Sequence, residues 1–221
     1  MFDYKGWVER ASQFVQGLPG RVPGKVRPWD DIEPPLSAAG LNALEEAIGH
    51  PLPRPLRRFL ETASGSCAFG YVWEPSGPAV AGLRTAIGKD FMIGGYPFCA
   101  SESLADDLRH CREVSEDGEW KDDDPLWKAA LPIGGENGNY LGLDLSANAD
   151  DPPVVYLEHE GASYPIAPSF DAFLEVWEQM GYLDPEWFAQ FLDTRSRLLE
   201  PARHPRIAAL RACLGLPPLV A

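Results

Sequence analysis

"GGENGNYLGLDLS", residues 134–146, places a glycine-rich turn directly before a run in which every second residue after Tyr140 is leucine. A period of two is the pattern of a β-strand with one buried face. The dipeptide Asn137-Gly138 precedes this run and favours a type I′ turn, because that turn requires positive φ at both central residues. The segment therefore predicts a β-hairpin whose first strand contains "LPI" (131–133).

The same loop lacks the residues that two common ligand-binding loops require. An EF-hand loop needs Asp or Asn at its first, third and fifth positions and Glu at its twelfth. A P-loop needs the pattern G-x-x-x-x-G-K-[S/T] ahead of a helix, and no lysine follows the glycines in this segment. We therefore interpret the glycines as turn residues and predict neither a metal site nor a phosphate site here.

Apolar residues spaced three or four apart predict helices ahead of this hairpin. A first helix is expected from about Asp3 to Gln16. Ser37 is expected to cap a second helix that ends at Gly49, and a third helix follows over residues 56–63. Residues 17–36 are rich in proline and glycine, and we predict that they form a linker or a surface strap.

Short aromatic or β-branched segments bounded by glycine and proline predict strands from the middle of the chain onward. Helices are expected to start at Ser101 or Ser103 and at Ser169, and to run from Asp184 to Leu198 and from Arg206 to Leu214. The predicted order is helices first, then strands with one inserted helix, and then helices again. This order is typical of an α+β domain. The predicted strands are "CAFGYVWE" (67–74), "AVAGL" (79–83), "DFMIGGYPF" (90–98), "ALPIG" (130–134), "NYLGLDL" (139–145), "PVVYLEHE" (153–160) and "YPIA" (164–167).

Charge is distributed unevenly along the chain, whose formal net charge is −14. Residues 101–190 hold 21 acidic residues against 4 basic ones, residues 1–100 hold ten of each, and residues 191–221 hold five arginines against two acids. An acidic middle section repels nucleic acid and anionic lipid, and it attracts a basic protein partner. The simpler alternative, that acidity serves only solubility, stays open.

Cysteine spacing and hydropathy favour a reduced, cytoplasmic protein. The four cysteines are far apart and form no C-x-x-C pair, so neither a zinc ribbon nor a thioredoxin-type site is predicted. The first residues, "MFDYKGWVERASQF", contain no unbroken apolar stretch of the kind found in signal peptides. No run approaches 18 apolar residues, so no membrane span is expected.

Several residues could carry chemistry, but each also has a structural interpretation. His159 lies between two glutamates in "YLEHE" and could be a metal ligand or a general base, although a lone histidine at a strand end is more often structural. His110 and Cys111 are adjacent without a second pair, and the run Asp122–Asp124 fits a solvated loop better than a cation site. We find no catalytic motif, and we predict no catalytic residue, cofactor or metal.

Four segments in order resemble the SMI1/KNR4 (SUKH) superfamily. They are a helix pair joined by a Leu-Pro corner, a hairpin with a glycine-rich turn, the strand after it, and a closing helix with a Ser-Phe-x-x-Phe-Leu pattern. The resemblance covers about residues 37–180. The segments are "LNALEEAIGHPLPRPLRRFLETASG" (41–65), "LPIGGENGNYLGLDLS" (131–146), "PVVYLEHE" (153–160) and "IAPSFDAFLEVW" (166–177).

This resemblance implies an α+β fold with a central, mostly antiparallel sheet flanked by helices. Residues 37–183 would form the SMI1/KNR4-like domain. An N-terminal helix with a strap (1–36) and a C-terminal helical extension (184–221) would lie outside it. The arginine-bearing tail is expected either to dock onto the acidic body or to make a dimer contact.

The resemblance also implies a function without catalysis, because bacterial members are typically immunity proteins that bind and neutralise a toxin, often a nuclease or deaminase domain. We therefore predict a monomer or homodimer that binds a basic toxin domain. The predicted partner-binding residues are Asp122, Asp123, Asp124, Glu158 and Glu160. One alternative is a regulatory scaffold without a toxin partner, as in fungal members. Another is a small enzyme that uses His159 with Glu158 or Asp144.

Overall fold

Two antiparallel sheets and the helices around them make this an α+β fold, as the sequence predicts. The computed structural model describes residues 1–116, 124–147 and 150–219. The sheets contain strands β1-β2-β3 and β4-β5-β6-β7 in that spatial order. In chain order the elements are α1 (Tyr4–Gly17), β1 (Gly24–Ile32), α2 (Ala38–Ile48), α3 (Arg54–Thr62), β2 (Cys67–Pro75), α4 (Pro78–Ile87), β3 (Met92–Phe98), α5 (Leu104–Glu116), α6 (Pro125–Ala129), β4 (Ala130–Glu136), β5 (Asn139–Asp144), β6 (Val154–Leu157), β7 (Tyr164–Ala167), α7 (Phe170–Gln179) and α8 (Pro205–Cys213).

Helix α1 is an integral part of the main core. Asp3 caps it by accepting a hydrogen bond from the Gly6 N–H at 3.0 Å. Trp7 is fully buried, and its indole N–H donates to the Leu174 carbonyl oxygen of α7 at 3.0 Å. Burial of such a large ring with its N–H satisfied anchors the helix firmly. The predicted first helix is confirmed to within one residue at each end.

Residues 17–36 include a strand, so the prediction of only a linker or strap was wrong. Strand β1 pairs along its whole length with β2 and forms the edge of the first sheet. The Glu33 N–H bonds to the opposite Ser66 carbonyl oxygen, so odd-numbered residues direct their backbone groups toward β2. Pro28 is even-numbered and faces the open edge, where its missing N–H breaks no bond to β2.

The segment "AVAGL" is helical, although its residues were predicted to form a strand. It lies inside α4, which has Pro78 at its first position and ends at Gly88 with a left-handed φ of 74°. Leu83, Ala86 and Ile87 are buried at helical spacing. Proline at the start and glycine just beyond the end are the usual helix boundaries, and this local chemistry outweighs the short apolar run.

Helices α2 and α3 form the predicted pair around a Leu-Pro corner. Ser37 caps α2 by accepting from the Gly40 N–H at 3.1 Å, and Gly49 ends the helix with a φ of 79°. Glu45 then fixes the corner, since its carboxylate accepts from the Leu52 N–H at 3.0 Å and pairs with Arg57 on α3 at 2.9 Å. The predicted caps of α2 are confirmed.

Strands β4 and β5 form the predicted hairpin. Asn137 and Gly138 have φ values of 53° and 81°, as a type I′ turn requires, and Glu136 pairs with Asn139 across it. One face of this sheet joins the main core, while a smaller apolar cluster that includes Trp127 packs under α5 and α6. The two sheets meet where the Cys99 N–H bonds to the Ile133 carbonyl oxygen at 2.6 Å.

The expected helix from Asp184 to Leu198 is much shorter than predicted. A 3-10 helix covers Pro185–Phe191, and the chain then turns back so that Leu192 bridges Leu199. The cause is Asp193, whose side chain accepts hydrogen bonds from the N–H groups of Arg195 and Ser196, both at 2.8 Å. Aspartate commonly binds the backbone in this way, which competes with helix continuation.

The C-terminal tail docks onto the domain. Helix α8 packs against α4, with Leu210 fully buried. Arg206 donates to the Ala86 carbonyl oxygen at 2.7 Å, and Arg211 donates to the carbonyl oxygens of Pro217 and Gln179. These two guanidinium groups therefore bind backbone carbonyls at a docked interface.

Candidate partner-binding surface

Asp124 is the only member of the predicted aspartate run that the structure describes, since Asp122 and Asp123 lie outside the described residues. Its Oδ1 caps α6 by accepting from the Leu126 N–H at 3.1 Å. Its Oδ2 accepts from the Ser163 N–H, also at 3.1 Å, in the loop between β6 and β7. Asp124 is half-buried and ties α6 to this loop.

The loop between β6 and β7 carries the other two predicted residues. Glu158 is half-buried, Glu160 is exposed, and the Glu158 N–H closes the loop by donating to Ser163 Oγ at 3.2 Å. The His159 N–H donates to Asn139 Oδ1 at 2.7 Å. This bond brings the loop against the turn of the β4–β5 hairpin, so Asp124, Glu158 and Glu160 lie in one region.

Two further acidic residues extend this region, and both are exposed. Glu136 is the last residue of β4, and Glu186 lies in the 3-10 helix, where it accepts a hydrogen bond from Asn137 Nδ2 at 3.0 Å. Asp184 lies beneath them, 4% exposed, and caps that 3-10 helix through the Glu186 N–H at 2.9 Å. We call Asp124, Glu136, Glu158, Glu160 and Glu186 the acidic end.

Desolvation and neighbouring carboxylates raise the pKa of one carboxyl group in the acidic end and of another beneath it. Partial desolvation of the Glu136 carboxyl, together with the charge of Glu186, raises the pKa of Glu136. Burial, followed by the charges of Glu186 and Glu136, raises the pKa of Asp184 to about 7, although the Glu186 N–H acts in the opposite direction. Within the described residues, no ion pair involves any of these carboxylates, so a cation brought here from another molecule would relieve the repulsion.

The family model for the SMI1/KNR4 family (SUKH-1) matches residues 35–176, which extend from just before α2 almost to the end of α7. This chain belongs to the SMI1/KNR4 family. No curated protein matches the chain. Four of the five carboxylates of the acidic end lie within the matched SMI1/KNR4 region, and Glu186 lies just beyond it.

Sequence reasoning identified only part of the acidic end. Glu136 and Glu186 are 50 positions apart in the chain. The residues next to Glu136 indicate only a turn, and those next to Glu186 indicate only a helix cap. They meet because the β4–β5 hairpin tip of this SMI1/KNR4 domain touches the start of the 3-10 helix through Asn137. The charge excess of residues 101–190 was the one signal available, and it indicates a region of the chain without indicating which residues converge.

The sheet keeps apart one pair of the enzyme alternative, His159 and Asp144, whereas Glu158 is the chain neighbour of His159 in the loop between β6 and β7. His159 contacts Asn139 at the hairpin end of β5, whereas Asp144 is the last residue of that strand. Five residue steps at about 3.3 Å each place them roughly 16 Å apart. Asp144 Oδ1 also accepts hydrogen bonds from the N–H and the hydroxyl of Ser146 at 3.0 and 2.6 Å, so this oxygen already stabilises the local turn.

The remaining candidates do not assemble into a metal site within the described residues. Cys111 lies on the buried face of α5, and burial raises the pKa of its thiol to about 12. Across residues 1–116, 124–147 and 150–219, no three His, Cys, Asp or Glu side chains are arranged to hold a metal ion. In the same part of the chain, no helix has the length and apolar character needed to cross a membrane.

Proposed function

We propose that this SMI1/KNR4 protein is a non-catalytic binding module of the immunity type, which neutralises a basic toxin domain by stoichiometric binding in the cytoplasm. The observation that carries the proposal is the acidic end. There, carboxylates from two loops, a strand end and a 3-10 helix converge, with no ion pair to any of them among the described residues. Family membership supports the same class of function.

Charge complementarity explains why a toxin would bind at this place. A nuclease must present basic residues where it contacts phosphate, and an acidic surface can occupy that groove in place of the nucleic acid. Long-range attraction also raises the association rate, which matters because a free toxin damages its target until it is captured. The same charge disfavours nucleic acid and anionic membranes as partners of this chain.

Charge reversal at the acidic end tests the proposal. The chain, tagged and expressed in its own cells, is used to capture partners, and a recovered toxin domain is then purified for rate measurements. We expect Glu158→Lys/Glu160→Lys to lower the association rate about tenfold or more at low salt, and less at high salt, because screening weakens steering. Stopped-flow mixing at several salt concentrations measures this effect.

A control with the same change in net charge separates the surface from total charge. Glu46→Lys/Glu61→Lys alters two exposed glutamates on α2 and α3, outside the acidic end, and should change the rate much less. Equal effects of both pairs would contradict the choice of surface. Capture of several housekeeping proteins and no toxin domain would favour the regulatory scaffold instead. If His159→Ala abolished a measurable enzymatic turnover, the non-catalytic function would be wrong.

A further inference from the structure

Strand β1 presents an open edge with an exposed tryptophan. Among the described strands it pairs only with β2, so its other edge has no strand partner there. Trp29 is 43% exposed, and its ring covers Gly70 on β2, where any side chain would collide with it. An exposed edge with a large apolar side chain at its centre is a ready template for pairing with another strand.

The two sides of β1 are distinct. Asp30 accepts hydrogen bonds from Ser12 and Gln16 of α1, so even-numbered side chains face that helix. Odd-numbered side chains therefore lie on the opposite, exposed face. Because odd-numbered residues bond to β2, the even-numbered ones direct their backbone groups toward the open edge. The odd-numbered set is Lys25, Arg27, Trp29, Asp31 and Glu33.

The charges on the exposed face of β1 are complementary to those of a second copy of β1 that runs in the opposite direction. Two basic residues precede Trp29 and two acidic residues follow it at the same spacings. In an antiparallel pairing centred on Trp29, Arg27 of one chain lies opposite Asp31 of the other, and Lys25 lies opposite Glu33. On the face toward α1, Val26 lies opposite Ile32. Opposite charges and apolar pairs directly across a ladder stabilise it.

We propose that a second copy of this chain docks antiparallel against β1, with the two-fold axis passing beside Trp29, to form a homodimer with a continuous six-stranded sheet. The pairing is isologous, so it closes at two copies. Its ladder has about six backbone hydrogen bonds, because four even-numbered pairs supply two each and the missing Pro28 donor removes one per chain.

The register is specified by residues on the open edge. A pairing centred on Pro28 instead of Trp29 would place the two Pro28 residues opposite each other and remove both hydrogen bonds of the central pair. A pairing centred on Asp30 would place the two Asp30 residues opposite each other, and like charges directly opposite are destabilising. Only the register centred on Trp29 avoids both costs and places every charged residue of the odd-numbered set opposite a residue of the opposite charge.

The charged side chains of β1 are accessible for such pairing. Lys25, Asp31 and Glu33 are exposed, and none of them joins an ion pair in the part of the chain that the structure describes. Arg27 pairs with Glu74 of β2 at 2.7 Å, and both side chains stay about half exposed. A carboxylate from the second copy would approach Arg27 from the open edge, on the side away from β2.

Sedimentation velocity on the full chain tests the homodimer. At about 0.15 M salt, where screening limits the repulsion between two chains of net charge −14, the 24.3 kDa monomer should shift toward twice that mass between about 2 and 200 µM. Asp31→Arg places like charges opposite Arg27 without removing the Arg27–Glu74 pair, and it should raise the dissociation constant tenfold or more.

The reciprocal exchange supplies the decisive control. Arg27→Asp/Asp31→Arg keeps the net charge and should restore dimerisation to within about threefold of wild type. Glu46→Arg changes the net charge by the same amount as Asp31→Arg, at an exposed position on α2, and should leave the dimer unchanged. Circular dichroism checks that each variant is folded. A wild type that stays monomeric at about 200 µM, or a dimer indifferent to Asp31→Arg, would overturn the proposal.

Discussion

At the scale of single residues, glycine decides how closely the strands of the first sheet approach. Gly95 on β3 has a φ of 86° and lies opposite Gly70 on β2. Its N–H donates to the Tyr182 carbonyl oxygen at 2.6 Å, which attaches the chain after α7 to the open side of β3. A Cβ atom at this position would collide with the Phe69 carbonyl oxygen.

Gly95→Ala should therefore be strongly destabilising. Both the left-handed φ and the collision with backbone act against the alanine, and we expect a loss of about 3 kcal/mol or more in the free energy of unfolding. Urea denaturation measures it. Gly20→Ala is the matched control, because a Cβ there meets nothing within 4 Å, and it should change stability by less than about 0.5 kcal/mol.

At the scale of elements, features set by local chemistry were predictable and those set by distant contacts were not. Caps such as Ser37 and the Asn137-Gly138 turn depend on residues two or three positions away, so the sequence indicates them directly. Strand β1 is different, since its proline and glycine content suggests a loop and only pairing with β2 makes it a strand. The contact between the hairpin tip and Glu186 likewise depends on the folded topology.

The docked tail is an element whose contribution can be measured. Leu210 on α8 is fully buried, so Leu210→Ala should cost about 2–5 kcal/mol through lost contacts and a residual cavity. Arg203→Ala, just before α8, removes a side chain that is 80% exposed and pairs with Glu200 alone among the described residues, and it should be nearly neutral. Thermal unfolding compares the two. Equal effects would contradict docking of the tail through Leu210.

At the scale of the whole molecule, residues 1–36 and 184–219 share one core with the SMI1/KNR4 region. Trp7 from α1 and Leu210 from α8 belong to the same apolar cluster as Phe98 and Trp177. Stability therefore depends on the chain as a unit, and so does its response to pH. The buried carboxyl of Asp184 matters most in this respect, because its pKa is raised to about 7.

Asp184 should make the protein less stable as pH rises. The folded chain holds this proton at pH values where the unfolded chain, with a pKa near 3.9, has lost it. The stabilisation is fully present below about pH 4 and is lost as pH rises through about 7. Asp184→Asn keeps an acceptor for the Glu186 N–H and cannot ionise. Between pH 4 and pH 8, we expect it to lose about 1–3 kcal/mol less stability than wild type.

Urea denaturation at both pH values measures this difference, and Asp193 provides a control of opposite sign. The N–H groups of Ser196 and Arg195 lower the pKa of Asp193, so its carboxylate stabilises the fold above pH 4 and loses that effect in acid. Asp193→Asn should therefore differ from wild type in its pH dependence mainly below pH 4, and between pH 4 and pH 8 its stability should change nearly in parallel with that of wild type. A wild type and an Asp184→Asn variant with parallel pH profiles would contradict the assignment.

Pro28 has a consequence for the behaviour of the chain at high concentration. The open edge of β1 lacks one backbone N–H donor near its middle, because Pro28 has none. An unrelated extended polypeptide would therefore form fewer hydrogen bonds there, which disfavours its addition as an extra strand. The same proline leaves one selective arrangement open. A valine there would complete the row and expose the protein to fibrillar aggregation, so Pro28 acts as a safeguard of colloidal stability.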